Sequence, residues 1–243
     1  MYVEQYGRGE RTFLAFHGWG GDHRDFAPLA ARLPEDCRLL SVDLPGYGQS
    51  PKPPRWDLQE IVNDLVREMD ARSLHAVTLA GFCSGAVLAL LVAQRVPARV
   101  QRIVMIDPFA FVPWYFRIFL AGALGRFFYQ SAFASPLGRR ITTRVLQRRQ
   151  STNDDFMGAF SRVDHETTQE WLRLLHRAGP VSQFAGLSVP IDIAFGENTF
   201  AAVRQSVREY GSILPQAKMH VLRHAGHLPL VREARQLAAL LFG

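Results

Sequence analysis

One cysteine lies in a pattern that would expose a thiol and favour its ionisation. Cys83 occupies the centre of Gly81-Phe82-Cys83-Ser84-Gly85, between an apolar strand-like run and a helical pattern. In a sharp strand-to-helix turn, the residues two before and two after the central one crowd each other, so both must be small. Gly81 and Gly85 satisfy this for Cys83, whereas Ser84 at the centre would require Phe82 to be small. The pattern predicts Cys83 as a nucleophile at a helix N-terminus, where the helix dipole favours a thiolate.

Alternating strand and helix patterns must position this turn. Short apolar, β-branched runs are typical of buried parallel strands, and helical patterns separate them here. The predicted strands are residues 12–16, 38–42, 76–80, 102–106, 191–195 and 218–222, after a strand-like run at 2–6. The predicted helices are residues 57–72, 84–96, 203–210 and 232–241. We therefore expect an α/β fold with a mostly parallel central sheet and helices on both faces.

The alternation stops in one long stretch. Residues 108–189 have no strand pattern, and prolines and glycines divide them into several helical pieces. We expect this stretch to be an inserted helical cap on a core made of residues 1–107 and 190–243. A membrane-spanning helix is not expected, because Pro113, Arg117 and other breaks interrupt the apolar residues.

The first part of the predicted cap is unusually aromatic. Together with the aromatic residue of the cysteine turn, its rings are predicted to line an apolar acyl or aryl pocket. The alternative is that they only pack the cap against the core. The candidate substrate-binding residues are Phe82, Phe109, Trp114 and Tyr115.

Three motifs together resemble the α/β-hydrolase superfamily. They are the cysteine turn, residues 17–20 (HGWG) after an early strand, and residues 224–227 (HAGH) after the last predicted strand. The resemblance covers the chain outside the cap. It implies an oxyanion hole with the backbone N–H groups of Trp19 and Ser84 as donors, and His227 as the base. Cysteine at this position is similar to dienelactone hydrolases and polyhydroxyalkanoate synthases, in that feature only.

The resemblance leaves open which acid orients the histidine. Members of the superfamily commonly carry aspartate in a G-x-x-D loop, but residues 196–199 read GENT, and Thr199 cannot act as an acid. Asp107 ends a predicted strand, where relatives such as haloalkane dehalogenases carry their acid, and it is the favoured alternative. Glu197 is the second. A cysteine–histidine dyad without an acid is the third, because a thiol ionises more readily than a hydroxyl.

Composition narrows the class of protein. The chain has 243 residues, of which 48% are hydrophobic, as in a globular enzyme-sized domain. Two cysteines are too few for a disulfide framework, and the first residues lack a secretory-signal pattern, so we expect a cytoplasmic protein. No motif indicates a metal or another cofactor.

The net charge of +6 comes almost entirely from arginine. No nucleic-acid-binding motif accompanies it, so we exclude that partner class. Arg140, Arg144 and Arg148 would form one helical stripe, for which a solvated face is the favoured interpretation. The alternative is that this stripe docks a phosphate-bearing carrier. The expected substrate is therefore a small apolar acyl group, which is either free or linked to coenzyme A or an acyl carrier protein. Membrane contact is the less favoured possibility.

These residues support three functional hypotheses. The first is a hydrolase of carboxylic esters, thioesters or lactones that works through an acyl-cysteine. The second is an acyltransferase that uses the same intermediate. The third is a non-catalytic relative that binds a small apolar ligand, a hypothesis supported by Thr199 at the usual place of the acid.

Overall fold

Parallel strands form the centre of the molecule, as the sequence predicts. The structure is a computed structural model that describes residues 1–150 and 157–243, without the side chains of residues 149 and 150. Its strands are β1 (Val3–Gly7), β2 (Arg11–Phe16), β3 (Cys37–Val42), β4 (Val77–Phe82), β5 (Val100–Ile106), β6 (Ile191–Gly196) and β7 (Lys218–Leu222). Within the described residues they form one sheet in the order β1-β3-β2-β4-β5-β6-β7, with β1 antiparallel to β3 and the other neighbours parallel.

Helices cover both faces of this sheet. They are α1 (Ala27–Ala30), α2 (Leu58–Ala71), α3 (Gly85–Arg95), α4 (Gly122–Tyr129), α5 (Pro136–Gln150), α6 (His165–His176), α7 (Ala201–Ile213), α8 (Pro229–Arg232) and α9 (Ala234–Phe242). Helices α2, α3 and α7 pack with one face of the strands, and α1, α8 and α9 pack with the other. The apolar residues of α3 are buried on every side, which explains its lack of a polar stripe. The predicted α/β fold with a mostly parallel sheet is confirmed.

Some boundaries differ from the sequence prediction for identifiable reasons. The predicted strand 76–80 continues to Phe82, because Gly81 and Phe82 pair with Met105 and Ile106 of β5. The predicted helix 232–241 begins two residues later, as α9, because Glu233 lies outside the αR region and separates it from the short α8.

The described residues between β5 and β6 contain helices and turns and no strand. A 3₁₀ turn at Trp114–Leu120 precedes α4, and a short π-helix at Gln130–Ala134 joins α4 to α5. Helix α6 and another 3₁₀ turn at Val181–Phe184 lead to β6. Residues 151–156 of the predicted cap lie outside the described residues. Among the described residues, no helix is both long and apolar enough to cross a membrane. The division into core and cap stays a prediction.

A separate apolar cluster holds this helical segment together. Tyr129, Phe133, Met157 and Phe160 form its buried centre. The ring of Trp19, from the loop after β2, packs edge-on against all three aromatic rings of this buried centre, and its Nε1–H donates to the carbonyl of Thr168 at 2.7 Å. The loop predicted to stabilise an oxyanion is therefore fixed to the helical segment.

Candidate active site

Cys83 lies in a tight turn between β4 and α3. Its φ is +54°, a left-handed conformation that is uncommon for a residue with a Cβ. The flanking glycines are sterically required: a Cβ on Gly81 would come within 2.4 Å of the Cα of Ala86, and one on Gly85 within 2.2 Å of the carbonyl oxygen of Phe16. The structure therefore has the backbone that the small-x-Cys-x-small pattern predicts, with Cys83 at its centre.

His227 and Asp107 meet beside this cysteine. His227 lies in the loop after β7, and its Nδ1 is 2.5 Å from Oδ2 of Asp107. The imidazole also hydrogen-bonds the Cys83 sulfur. Burial opposes protonation of the ring, but the negative charges of Cys83 and Asp107 outweigh it and raise the pKa of His227 to about 10. The arrangement thus favours the protonated form of His227, between the thiol of Cys83 and the carboxylate of Asp107.

The Asp107 carboxylate is fully buried and held by two further donors. The Gly196 N–H donates to Oδ1 at 2.8 Å, and the buried Thr199 hydroxyl donates to Oδ2. Thr199 occupies the place where the resemblance leads one to look for an acid, and here it donates to a carboxylate that comes from the neighbouring strand. Sequence reasoning missed this contact, although a hydroxyl in place of the usual carboxylate was its signal.

Glu197, the other candidate acid, has different surroundings. Its side chain is exposed, and its carboxylate accepts the backbone N–H of His224 at 3.0 Å. Of the two predicted alternatives, the structure brings Asp107 to the His227 ring.

The loop after β2 approaches the cysteine closely enough to form an oxyanion hole. A Cβ on Gly18 would lie 2.9 Å from the Cβ of Cys83, so only glycine permits this approach. Within the described parts of the chain, neither the Trp19 N–H nor the Ser84 N–H donates to a protein acceptor. Both amides are therefore available to an oxygen bound at the thiol.

His17 stabilises the same loop from behind. Its Nε2 accepts the Leu44 N–H at 3.0 Å, so its Nδ1 carries the proton and donates to the Gly18 carbonyl at 2.8 Å. Complete burial lowers the pKa of His17, which keeps this ring neutral. These two hydrogen bonds indicate that His17 stabilises the conformation of the loop.

A mostly apolar cavity of about 310 Å³ opens beside the thiol. Its lining includes Cys83 and three of the four predicted substrate-binding residues, Phe82, Phe109 and Tyr115. Trp114 departs from the prediction, because its side chain is 80% exposed and does not line the cavity. Within the 3₁₀ turn, Tyr115 and Phe116 line the cavity and leave Trp114 on the outside.

Comparison with known proteins identifies the family. A family model described as alpha/beta hydrolase fold matches residues 11–234. The chain belongs to the α/β-hydrolase family. The match covers both the elements that hold Cys83 and those that hold His227, and it confirms the resemblance drawn from the three motifs.

Individual relatives of this α/β hydrolase are distant. It is 26% identical over 235 residues to a pimeloyl-[acyl-carrier protein] methyl ester esterase of Neisseria meningitidis, covering 92% of this chain and 88% of the relative. Among solved structures, a thermophilic esterase from Thermogutta terrifontis superposes with a TM-score of 0.80 at 18% identity, over 98% of this chain and 90% of the other. The enol-lactonase from Burkholderia xenovorans LB400 gives 0.75 at 18% identity, over 98% and 94%. These structural matches support the fold.

One ionisable side chain of the α/β-hydrolase cavity was not foreseen from the sequence. Asp25, in the 3₁₀ turn His23–Phe26, lines the cavity against Gly21 of the loop after β2. Burial, followed by the nearby charge of Asp22, raises the pKa of Asp25 to about 7. A single aspartate within a helical turn carries no pattern that sequence reasoning could have used.

Among the described residues, one group of side chains has the spacing of metal ligands. It consists of Asp22, His23 and Asp43. The Asp43 carboxylate already accepts the backbone N–H groups of His23 and Gln49 at 2.7 and 2.8 Å. These hydrogen bonds indicate that the Asp43 side chain stabilises the surrounding turns.

Proposed function

We propose that this α/β hydrolase cleaves carboxylic esters, including thioesters and lactones, that carry an apolar acyl group, through an acyl-cysteine intermediate. The observation that carries the proposal is the alignment of Cys83, His227 and Asp107 at an apolar cavity. The distant relatives named as esterases support ester hydrolysis as the reaction class.

Acylation would begin from the thiolate–imidazolium pair. The Cys83 sulfur attacks the carbonyl carbon, and the carbonyl π electrons move to oxygen, where the N–H groups of Trp19 and Ser84 stabilise the oxyanion. The oxyanion then re-forms the carbonyl and expels the alkoxide or thiolate leaving group, which takes a proton from His227. The products of this half-reaction are an alcohol or thiol and an acyl-cysteine.

In deacylation His227 would act as a general base, whereas in acylation it acts as a general acid. Neutral His227 removes a proton from water, whose oxygen attacks the thioester carbonyl. Collapse of the second oxyanion releases the carboxylic acid and restores the Cys83 thiolate beside the imidazolium. Asp107 stabilises the positive imidazolium in both stages and holds Nδ1 protonated, so that the other ring nitrogen faces the sulfur.

Substrate selection would fall to the apolar cavity. We propose that residues 108–189 act as a cap whose aromatic side chains surround the acyl group. The name of the Neisseria relative makes an acyl group linked to an acyl carrier protein one candidate substrate. A panel of acyl-nitrophenyl esters, acyl-coenzyme A thioesters and carrier-linked esters of different chain lengths would identify the class that is cleaved.

Substitution of the nucleophile tests the mechanism. Cys83→Ala should lower kcat by at least about a thousandfold, because covalent catalysis is lost. Cys37→Ala is the matched control, since Cys37 is the other free, buried cysteine and lies at the start of β3. Mass spectrometry of enzyme quenched during turnover should find the acyl group on the peptide that contains Cys83.

Two results would contradict the proposal. Full activity of Cys83→Ala would exclude the acyl-cysteine, and an unreactive Cys83 with no turnover across the panel would support the non-catalytic alternative. Transfer of the acyl group to an added alcohol or amine, in preference to water, would identify an acyltransferase that shares the same first half-reaction.

A further inference from the structure

The helical segment between β5 and β6 exposes an unusual amount of apolar surface. Trp114 is 80% exposed, and other large apolar side chains of this segment are exposed with it. They are Ile118, Leu124, Phe127, Phe128, Leu137, Ile141 and Val145. Exposed apolar side chains at this density mark a surface that contacts a partner or a membrane.

Helix α5 arranges these side chains in a regular stripe. Leu137, Ile141 and Val145 recur every four residues and are exposed, while Leu146 on another side of the helix packs against the Tyr129–Phe160 cluster. The outward face of α5 is therefore apolar although the helix already has an inward packing face. Exposure of this apolar face to water is unfavourable, because apolar surface is more stable when it is removed from water.

Arginines flank the apolar stripe of α5. Arg140, Arg144 and Arg148 each lie three residues after a member of the stripe, and all three are exposed. Residues at i and i+3 are neighbours on a helix surface, so the cationic and apolar stripes run side by side. A helix with an apolar stripe and flanking arginines is typical of helices that lie in a membrane interface.

The charge of the surrounding sequence points the same way. From residue 108 to residue 153 the chain contains seven arginines and no aspartate, glutamate or lysine. A stretch of sequence with one charge sign complements an anionic surface.

We propose that this α/β hydrolase binds anionic lipid membranes through the exposed apolar residues of 114–145 and through Arg140, Arg144 and Arg148. The arginines contact lipid phosphates, and the aromatic and aliphatic side chains enter the headgroup boundary. A membrane explains both halves of the pattern, because it offers a negative surface and an apolar phase within a few ångströms of each other.

Membrane contact would also place the cavity next to a lipid phase. Trp114 is exposed, whereas its neighbours Pro113 and Tyr115 line the cavity beside Cys83. The same short turn thus separates the proposed membrane surface from the cavity. An apolar acyl substrate dissolved in the bilayer would have a short path to the cavity.

Vesicle co-sedimentation tests the proposal without using enzyme activity. Wild-type protein should bind vesicles of phosphatidylcholine mixed with phosphatidylglycerol, bind pure phosphatidylcholine weakly, and dissociate as salt rises. The variant Arg140→Gln/Arg144→Gln/Arg148→Gln should bind the anionic vesicles at least about tenfold more weakly. The variant Arg95→Gln/Arg208→Gln/Arg235→Gln removes the same charge from exposed positions outside the segment and should bind like wild type.

Tryptophan fluorescence gives a second measurement. The protein has four tryptophans, of which Trp114 is the most exposed. Binding to anionic vesicles should shift the emission to shorter wavelength, and brominated lipids should quench it. Both effects should be lost in Trp114→Phe, while thermal melts confirm that this variant and the arginine variants are folded.

Several outcomes would overturn the proposal. One is the absence of vesicle binding, and another is equal binding by the two arginine variants. If the exposed residues instead bury in a concentration-dependent dimer, light scattering will show it, and the surface is a self-association site. If purified acidic acyl carrier protein binds and vesicles do not, the surface is a protein-docking site. Because all these measurements are independent of turnover, their failure is distinguishable from failure of the acyl-cysteine mechanism.

Discussion

Two residues of the candidate site have backbone conformations that side chains with a Cβ usually avoid. Cys83 and Asp107, at the ends of the adjacent strands β4 and β5, have φ values of +54° and +47°. Such conformations cost about 1 kcal/mol or more each and cluster at functional sites. Here they place the sulfur and the carboxylate around His227. The positions of Cys83 and Asp107 are thus fixed largely by the backbone, so these two side chains can be substituted to separate their effects.

Removing the thiol should change the protonation of the histidine. The pKa of His227 lies near 10 because Cys83 and Asp107 offset the burial of the ring, so Cys83→Ala should lower it. ¹⁵N-histidine NMR can follow the eight histidines through a pH titration. Cys37→Ala should leave the His227 signals unchanged. An unaltered His227 titration in Cys83→Ala would show that the thiol does not contribute to the imidazolium.

The same raised pKa predicts a pH dependence of stability. A histidine with a folded-state pKa near 10 and an ordinary value of 6.5 stabilises the fold fully below pH 6.5, and this contribution is lost as pH rises through 10. The unfolded thiol ionises at about pH 8.5, so wild type should lose stability relative to Cys83→Ala most clearly between about pH 8.5 and pH 10. Chemical denaturation of both proteins at several pH values measures the difference.

Thr199 is expected to act through Asp107. Thr199→Val keeps the shape of the side chain but removes the hydroxyl that donates to Oδ2, so we expect kcat to fall by roughly tenfold, the effect of losing one hydrogen bond to a charged group. Thr199→Ser should restore most of the rate. A loss of stability in Thr199→Val without a loss in kcat would assign the residue a purely structural role.

At the scale of elements, the site depends on which loop meets which strand end. β5 and β6 are adjacent and parallel, and Asp107 N–H donates to the Ala194 carbonyl at 2.7 Å. Asp107 at the end of β5 and Thr199 in the loop after β6 therefore meet at Oδ2 of Asp107, the oxygen that faces His227. An acid could reach His227 from either element, which explains how a chain can lack the usual loop aspartate and retain a carboxylate at the imidazole.

This adjacency predicts that the acid can be moved between elements. Asp107→Asn should lower kcat by at least about a hundredfold, because the imidazolium loses its counter-charge. The double variant Asp107→Asn/Thr199→Asp should recover part of that loss by supplying a carboxylate from the loop after β6. Asp107→Asn/Thr199→Asn is the matched control without a carboxylate. Equal activity of the two double variants would mean that position 199 cannot serve the ring.

Across the whole molecule, features that depend on near neighbours in the chain were predicted from the sequence, whereas long-range contacts were not. Periodic apolar runs marked the strands, and the spacing of Gly81 and Gly85 marked the cysteine turn, because each depends on near neighbours in the chain. The contact between Asp107 and His227 joins residues 120 positions apart, so the sequence left the acid open. The exposure of Trp114 was missed because an all-aromatic stretch does not show which rings face inward.

Asp25 was also missed from the sequence, and its pKa predicts how the stability of the whole protein depends on pH. Its folded-state pKa of about 7 lies above its ordinary value of 3.8, because burial against Gly21 disfavours the carboxylate. Folding is therefore favoured by protonation of Asp25. The stabilising contribution is complete below pH 3.8 and is lost as pH rises through 7, where the desolvated carboxyl must ionise.

Substitution by asparagine should remove this pH-dependent loss. Relative to wild type, Asp25→Asn should gain stability between about pH 4 and pH 7 and keep the gain at higher pH, on the order of 1 kcal/mol. Chemical denaturation across this range measures it, and Glu35→Gln, which neutralises an exposed carboxylate, serves as the control. If the stability difference between Asp25→Asn and wild type were the same at pH 4 and pH 8, the ionisation of Asp25 would not be linked to folding. If the gain appears, the carboxylate of Asp25 lowers the free energy of unfolding of this α/β hydrolase. A cavity residue that is kept although it destabilises the fold is the first polar group to substitute in a study of substrate choice.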